Sequence, residues 1–429
     1  SAGGVVLLAG ALAALVWANS PWSDSYAGLW ETEVVVQLGR FALVEDLRQW
    51  VNDGLMALFF FVVGLEIKRE LVHGELRSPR TAALPALAAL GGMVVPALLY
   101  LAVNAGRPGV HGWGVPMATD IAFAVGVVSL LGHRVPASLK LFLLTLAVAD
   151  DLGAIVVIAF FYSSGIDSLA LAVAGLLVAA IVGLRQAKVT WMPIFVVLGA
   201  GVWLATLASG VHATIAGVVV ALLTPARPLA PGVVAKEWAD DLADEPTPGQ
   251  LIDMTRMAKD SVSVAERLEH HLHPLTSFVI IPLFALANAG VVLAAGVFDA
   301  PGAAAVAAGV VLGLVVGKVV GITLASWLAV RLGLGTLPRG VGWPQMVGIA
   351  AVAGIGFTVS LFVAGLAFDD PALEGAAKVG ILAASAIAAV AGSALLARMC
   401  RRQPPGAGAS TPPSQAATGT RHPSQIGAA

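Results

Sequence analysis

Charge is what this sequence has least of. Only 12% of its 429 residues are Asp, Glu, Lys or Arg, about half the roughly 25% usual in a soluble domain. A chain so poor in charge cannot cover its surface for water, which excludes an ordinary soluble protein and makes lipid its main solvent. Cysteine is nearly absent: Cys400 is the one thiol. It can form no intramolecular disulfide and has no thiol partner for a metal site, so nothing points to redox chemistry or a cofactor. A basic excess is also missing, since the formal net charge is −2, and nucleic acid is therefore not a partner.

What the chain does have is apolar length. Its mean hydropathy is strongly positive, and its 48 glycines suit the close helix contacts of membrane bundles. A spanning helix needs about 20 mostly apolar residues. By that measure the sequence predicts an all-α polytopic membrane protein with twelve spans, near 3–19, 53–72, 81–104, 114–132, 138–163, 167–184, 190–207, 209–224, 274–298, 302–330, 341–367 and 375–399. The first run lacks a basic leading segment and is followed by others, so it reads as a span rather than a signal peptide.

The cations orient the bundle. Of the 24 Lys and Arg, nineteen fall on the side of the termini, and four (Arg40, Arg48, Arg107 and Lys378) on the other. This bias predicts cytoplasmic termini and an inner-membrane location. The remaining cation, Lys318, falls at mid-span. Residues 34–44, two apolar runs about Gly39-Arg40, predict a small extramembrane β-hairpin. Residues 225–268 read as a cytoplasmic loop with a solvated acidic run, Asp240, Asp241, Asp244 and Glu245. Residues 1–402 then form one membrane domain, and the Pro- and Ser-rich stretch 403–429 is expected to be disordered.

Ionisable groups inside spans are costly and mark ion or proton paths. Asp150 and Asp151 lie side by side in an apolar segment. Helical neighbours point about 100° apart, so both can border one cavity. Protons and a hard cation such as Na+ or Li+ would compete for their oxygens, and that competition suffices for coupled exchange. The plainer alternative is a buried pair satisfied by its neighbours. Thr119-Asp120 follows Pro116 and small residues that invite a helix break; Asp120 would then offset a half-helix end, unless the Pro merely kinks the helix near the interface. Gly354-Ile-Gly356-Phe-Thr358 is a matching break, and each break falls in the middle helix of a three-helix group, which fits inverted repeats. Lys318 needs a partner. It either releases a proton when the cation arrives or bridges helices to an aspartate. At the cytoplasmic edge lie Glu66-Ile-Lys68-Arg69-Glu70 and Arg267-Leu-Glu269-His270-His271-Leu-His273. The second cluster could sense pH; ordinary interfacial charge is the alternative.

Together these stretches, with Ser209-Gly-Val-His212-Ala-Thr-Ile-Ala-Gly and Pro282-Leu-Phe-Ala-Leu-Ala-Asn288-Ala-Gly, resemble the NhaA-type sodium/proton antiporters over nearly the whole chain. The resemblance implies twelve helices, with helices 4 and 11 interrupted and crossing. It implies that Asp150 and Asp151 bind the cation and protons, with Thr119 and Asp120 at the crossing and Lys318 beside the aspartates. It further implies electrogenic exchange, pH sensing by Glu66, Arg69, Glu70, Glu269, His270 and His273 with His212 as a second pH-related position, and a homodimer supported by the hairpin. The loop before helix 9 is longer and more acidic than the family pattern, and the tail is an addition. Two rivals are weaker. An intramembrane aspartyl protease needs its aspartates on facing helices, and a channel needs no titratable carboxylates.

Overall fold

The computed structural model describes residues 2–38, 41–163, 165–187, 189, 191–227, 247, 261–293 and 296–400. In chain order the elements are α1 (Ala2–Ala18), α2 (Ser23–Trp30), β1 (Glu33–Leu38), β2 (Phe41–Asp46), α3 (Met56–Val72), α4 (Pro79–Asn104), α5 (Ile121–Leu130), α6 (Ala137–Phe161), α7 (Ser168–Gln186), α8 (Met192–Ala208) and α9 (Thr214–Leu223). They continue as α10 (Val264–Leu275), α11 (Ile281–Asn288), α12 (Ala303–Val311), α13 (Lys318–Arg331), α14 (Trp343–Val352), α15 (Phe357–Ala367) and α16 (Pro371–Cys400). Six helical runs are long and apolar enough to cross a membrane, and nine if each bent pair counts as one span. The other expected spans are the shorter helices α3, α8 and α9. Strands β1 and β2 pair antiparallel, Glu33 with Asp46 through Leu38 with Phe41, in the hairpin the sequence predicts.

Local chemistry fixes several helix starts. Pro79 opens α4 and Pro193 lies in the first turn of α8, where a missing N–H costs nothing. Asp167 caps α7 by accepting from Leu169 N at 2.8 Å. Ser263 and Glu266 form a reciprocal capping box on α10, satisfying two backbone donors at once.

That cap corrects an expectation. The ninth span was predicted over 274–298 with a loop reaching 268, but the helix runs Val264–Asn288, through a π-helical turn at Thr276–Ile280. The polar segment Arg267–His273 is therefore helical. Its charges hide it from a hydropathy reading, while the capping box starts it. A second unpredicted feature is α2, which turns back 117° from α1 after Ser20-Pro21 and buries Tyr26 and Trp30. The acidic run Asp240–Glu245, the hairpin turn Gly39-Arg40 and the tail from Gln403 lie outside the described residues.

Burial sorts the spans. Only 11% of the apolar stretch of α7 is buried, against 61% for α6 and for the run Ala303–Arg331. The two central spans are the ones that carry Asp150, Asp151 and Lys318. Close approach at glycine seats the second of them against α4: a Cβ on Gly321 of α13 would overlap the Gly91 carbonyl of α4. Gly321→Val is therefore expected to force α4 and α13 apart and to destabilise the protein by about 1–3 kcal/mol. A lowered unfolding midpoint of the purified protein in detergent checks this; an unchanged midpoint would show that the helices can separate freely.

Candidate ion-binding site

Two broken spans meet at the centre of the bundle. The first is a 3₁₀ helix, Pro108–Met117, joined to α5 with a bend of 48°; the second is α14 joined to α15 with a bend of 52°. Each is the middle member of a three-helix run, 79–161 and 303–400. The first break lies at Ala118–Asp120, just after Pro116 rather than at it. Pro116 itself is buried in the 3₁₀ helix, against the place where a Cβ on Gly313 would sit. Proline and the glycines at 109, 112 and 114 favour this tighter, irregular segment over an α-helix.

The breaks satisfy each other's backbone. Asp120 N donates to Ile355 O at 2.7 Å, Thr119 Oγ1 donates to Ala353 O at 2.8 Å, and Ser360 Oγ donates to Val115 O at 2.8 Å. Asp120 caps two helices at once. Its Oδ1 accepts from Phe123 N at 2.9 Å in the first turn of α5. Its Oδ2 accepts from Thr358 N at 3.1 Å and Thr358 Oγ1 at 2.7 Å in the first turn of α15. Two helix N-termini, each with a partial positive charge, thus face one carboxylate. Non-helical backbone within a bundle of spans is tolerated where it is buried in protein and paired in this way. Thr358 is absent from the predicted site residues; the break motif contains it, but which carboxylate it meets is a matter of folding.

On α6, Asp150 and Asp151 are both buried. Lys318 Nζ donates to Asp150 Oδ2 at 2.5 Å, with both side chains fully buried. Of the two roles open to Lys318, the structure contains the bridge. The hydroxyl and backbone amide of Thr119 face Asp150 as well. The Oδ1 atoms of Asp150 and Asp151 have no hydrogen-bond partner among the described residues. Asp151 lies within electrostatic reach of Asp150, Glu66, Asp120 and Lys318. A π-helical turn, Leu312–Gly317, immediately precedes Lys318, and a Cβ on Gly317 would lie 2.8 Å from Pro96 Cα. The lysine is thereby held where α4, α6 and the first break converge. Two carboxylates with free oxygens, one hydroxyl and one cation in a closed polar centre can bind a hard cation or protons.

The two edge clusters, 200 residues apart in sequence, form one group. Arg69 Nη1 meets Glu269 Oε1 at 2.5 Å, with Glu70 at 3.6 Å and Glu66 at 4.0 Å from its Nη2. His273 is within electrostatic reach of Glu269. His270 lies on the exposed flank, its ring 5.9 Å from that of His271, and among the described residues no hydrogen bond joins it to Arg69. His212 is apart from this cluster: its Nε2 donates to the Tyr162 carbonyl at 2.6 Å.

Known proteins match along the whole of this architecture. The family model described as Na+/H+ antiporter 1 matches residues 1–396. The antiporter NhaA 3 of Frankia alni is 46% identical over 404 residues, covering 94% of this chain and 87% of the relative. NhaA of Rhodopirellula baltica is 46% identical over 404 residues, 92% of this chain and 90% of its own. NhaA of Oleidesulfovibrio alaskensis is 47% identical over 420 residues, with 94% and 92% covered.

Proposed function

The chain belongs to the Na+/H+ antiporter 1 family, and from that premise we propose that Asp150 and Asp151 are the groups for which Na+ and protons compete. It is a multi-pass membrane protein and a transporter rather than an enzyme. The observation that carries the proposal is the buried aspartate pair, one member bound to Lys318 and each with an oxygen that has no hydrogen-bond partner among the described residues.

Na+ is the cargo, and it takes oxygen ligands. The free oxygens of Asp150 and Asp151, with Thr119 alongside, would supply them. Protons bind the same oxygens, so each load displaces the other. A cation that draws Asp150 away from Lys318 leaves a buried ammonium without its partner, a costly state that is relieved when Lys318 gives up its proton. More than one proton then moves per Na+, and the cycle is electrogenic. Li+, another hard cation, fits the same oxygen set. Asp120 keeps the crossing neutral while the halves move, and the paired breaks, one just after Pro116 and one at Gly354 and Gly356, are where they bend.

Regulation by pH belongs to the edge group Glu66, Arg69, Glu70, Glu269, His270 and His273, with His212 as a second position. The hairpin joins two copies in a homodimer. Residues 1–402 make up the transporter domain, in a bacterial inner membrane with both termini cytoplasmic, as the Lys and Arg bias supports.

The test is reconstitution in liposomes, following internal pH after a Na+ gradient is imposed. Wild type is expected to move protons against Na+, and Asp151→Asn to fall to the level of protein-free liposomes. Flux that survives Asp151→Asn would move the ion site elsewhere. Absence of Na+-driven flux in wild type at every pH from about 6 to 9, the range in which perturbed groups titrate, would overturn the reading.

A further inference from the structure

On the outer flank of the bundle, α13 and α14 part to leave a groove of about 460 Å³. Val320, Thr323 and Trp327 line it from α13, and Trp343 and Val347 from α14; its exposed lining is wholly apolar. Val320 and Trp327 are each 45% exposed, so the groove opens toward lipid. One turn beyond Trp327, at the mouth, the Arg331 guanidinium lies over the Trp327 ring at 5.5 Å. Among the described residues no carboxylate is paired with Arg331. Stacking holds the guanidinium at the mouth and leaves its N–H fork available to an oxyanion.

Length identifies the occupant. From Val319, where the lining begins, to Arg331, one turn past its last residue on this helix, α13 rises about 18 Å. That is close to one leaflet of a hydrocarbon core about 30 Å thick. An apolar groove flanked by two tryptophans and leading to an arginine with no carboxylate partner among the described residues matches an acyl chain below and an anionic headgroup above. We propose that this groove binds one anionic phospholipid, its acyl chain between α13 and α14 and its phosphate on Arg331. The groove's lining begins at the residue after Lys318, and its far wall is the first half of a broken span. The bound lipid therefore props the Lys318 helix against α14.

The experiment uses the delipidated full chain in detergent, offered equal amounts of phosphatidylglycerol and phosphatidylcholine and analysed by native mass spectrometry. Wild type is expected to retain phosphatidylglycerol several-fold over phosphatidylcholine. Arg331→Gln is expected to remove that preference for one lipid, and Arg331→Lys to keep most of it. Val320→Trp, whose bulk projects into the slot and not into the core, is expected to lower retention by one phospholipid with the unfolding midpoint unchanged. Equal retention of the two lipids by wild type, or unchanged selectivity in Arg331→Gln, would overturn the proposal. So would a dimer that Val320→Trp abolishes, because a second copy would then cover the groove.

Discussion

Asp120→Ala should be among the most damaging single substitutions in this protein. It leaves the backbone N–H groups of Phe123, part-buried, and of Thr358, buried at the crossing, without the acceptor they now share. A buried donor without an acceptor costs about 1–3 kcal/mol, so the Thr358 N–H alone implies a loss of that size, and the part-buried Phe123 N–H adds to it. The Thr358 hydroxyl loses its acceptor too. Asp120→Asn should fall between: its carbonyl oxygen can serve one helix, but its NH2 group faces the donors of the other. Unfolding midpoints in detergent should rank wild type above Asp120→Asn above Asp120→Ala. If Asn and Ala lost equal stability, the double capping by Asp120 would not be what holds the crossing together.

Breaking the Lys318–Asp150 bridge from one side should be worse than removing it from both. Lys318→Ala leaves the Asp150 carboxylate buried and unpaired, an expected loss of about 3–5 kcal/mol. Asp150→Asn alone strands the ammonium in the same way. The double variant Asp150→Asn with Lys318→Gln replaces two buried charges by two amides that can bond each other. Neutral replacements of a buried ion pair are often close to harmless, so the double variant should regain most of the stability while remaining unable to exchange Na+ for protons. A double-mutant cycle on stability, run beside the liposome flux assay, separates the two contributions. Additive losses would mean that the 2.5 Å contact carries little of the folding energy. Recovered stability together with recovered flux would mean that Asp150 is not an ion ligand.

The sequence by itself determined that the chain crosses a membrane many times. It also determined which ionisable groups lie inside, because a low-charge chain has few such groups and lipid penalises each of them. It placed the hairpin and both breaks, since glycine, proline and strand alternation act over a few residues. It could not locate the start of the ninth span, where a capping box overrides the hydropathy of Arg267–His273, nor foresee the fold-back of α2. Pairings were beyond it: that Lys318 takes Asp150 rather than Asp151, that Asp120 meets Thr358, and that Arg69 meets Glu269. Those contacts join residues 168, 238 and 200 positions apart. Only helix packing decides them, through small-residue crossings such as Gly91 with Gly321 that set how close two helices come and which faces meet.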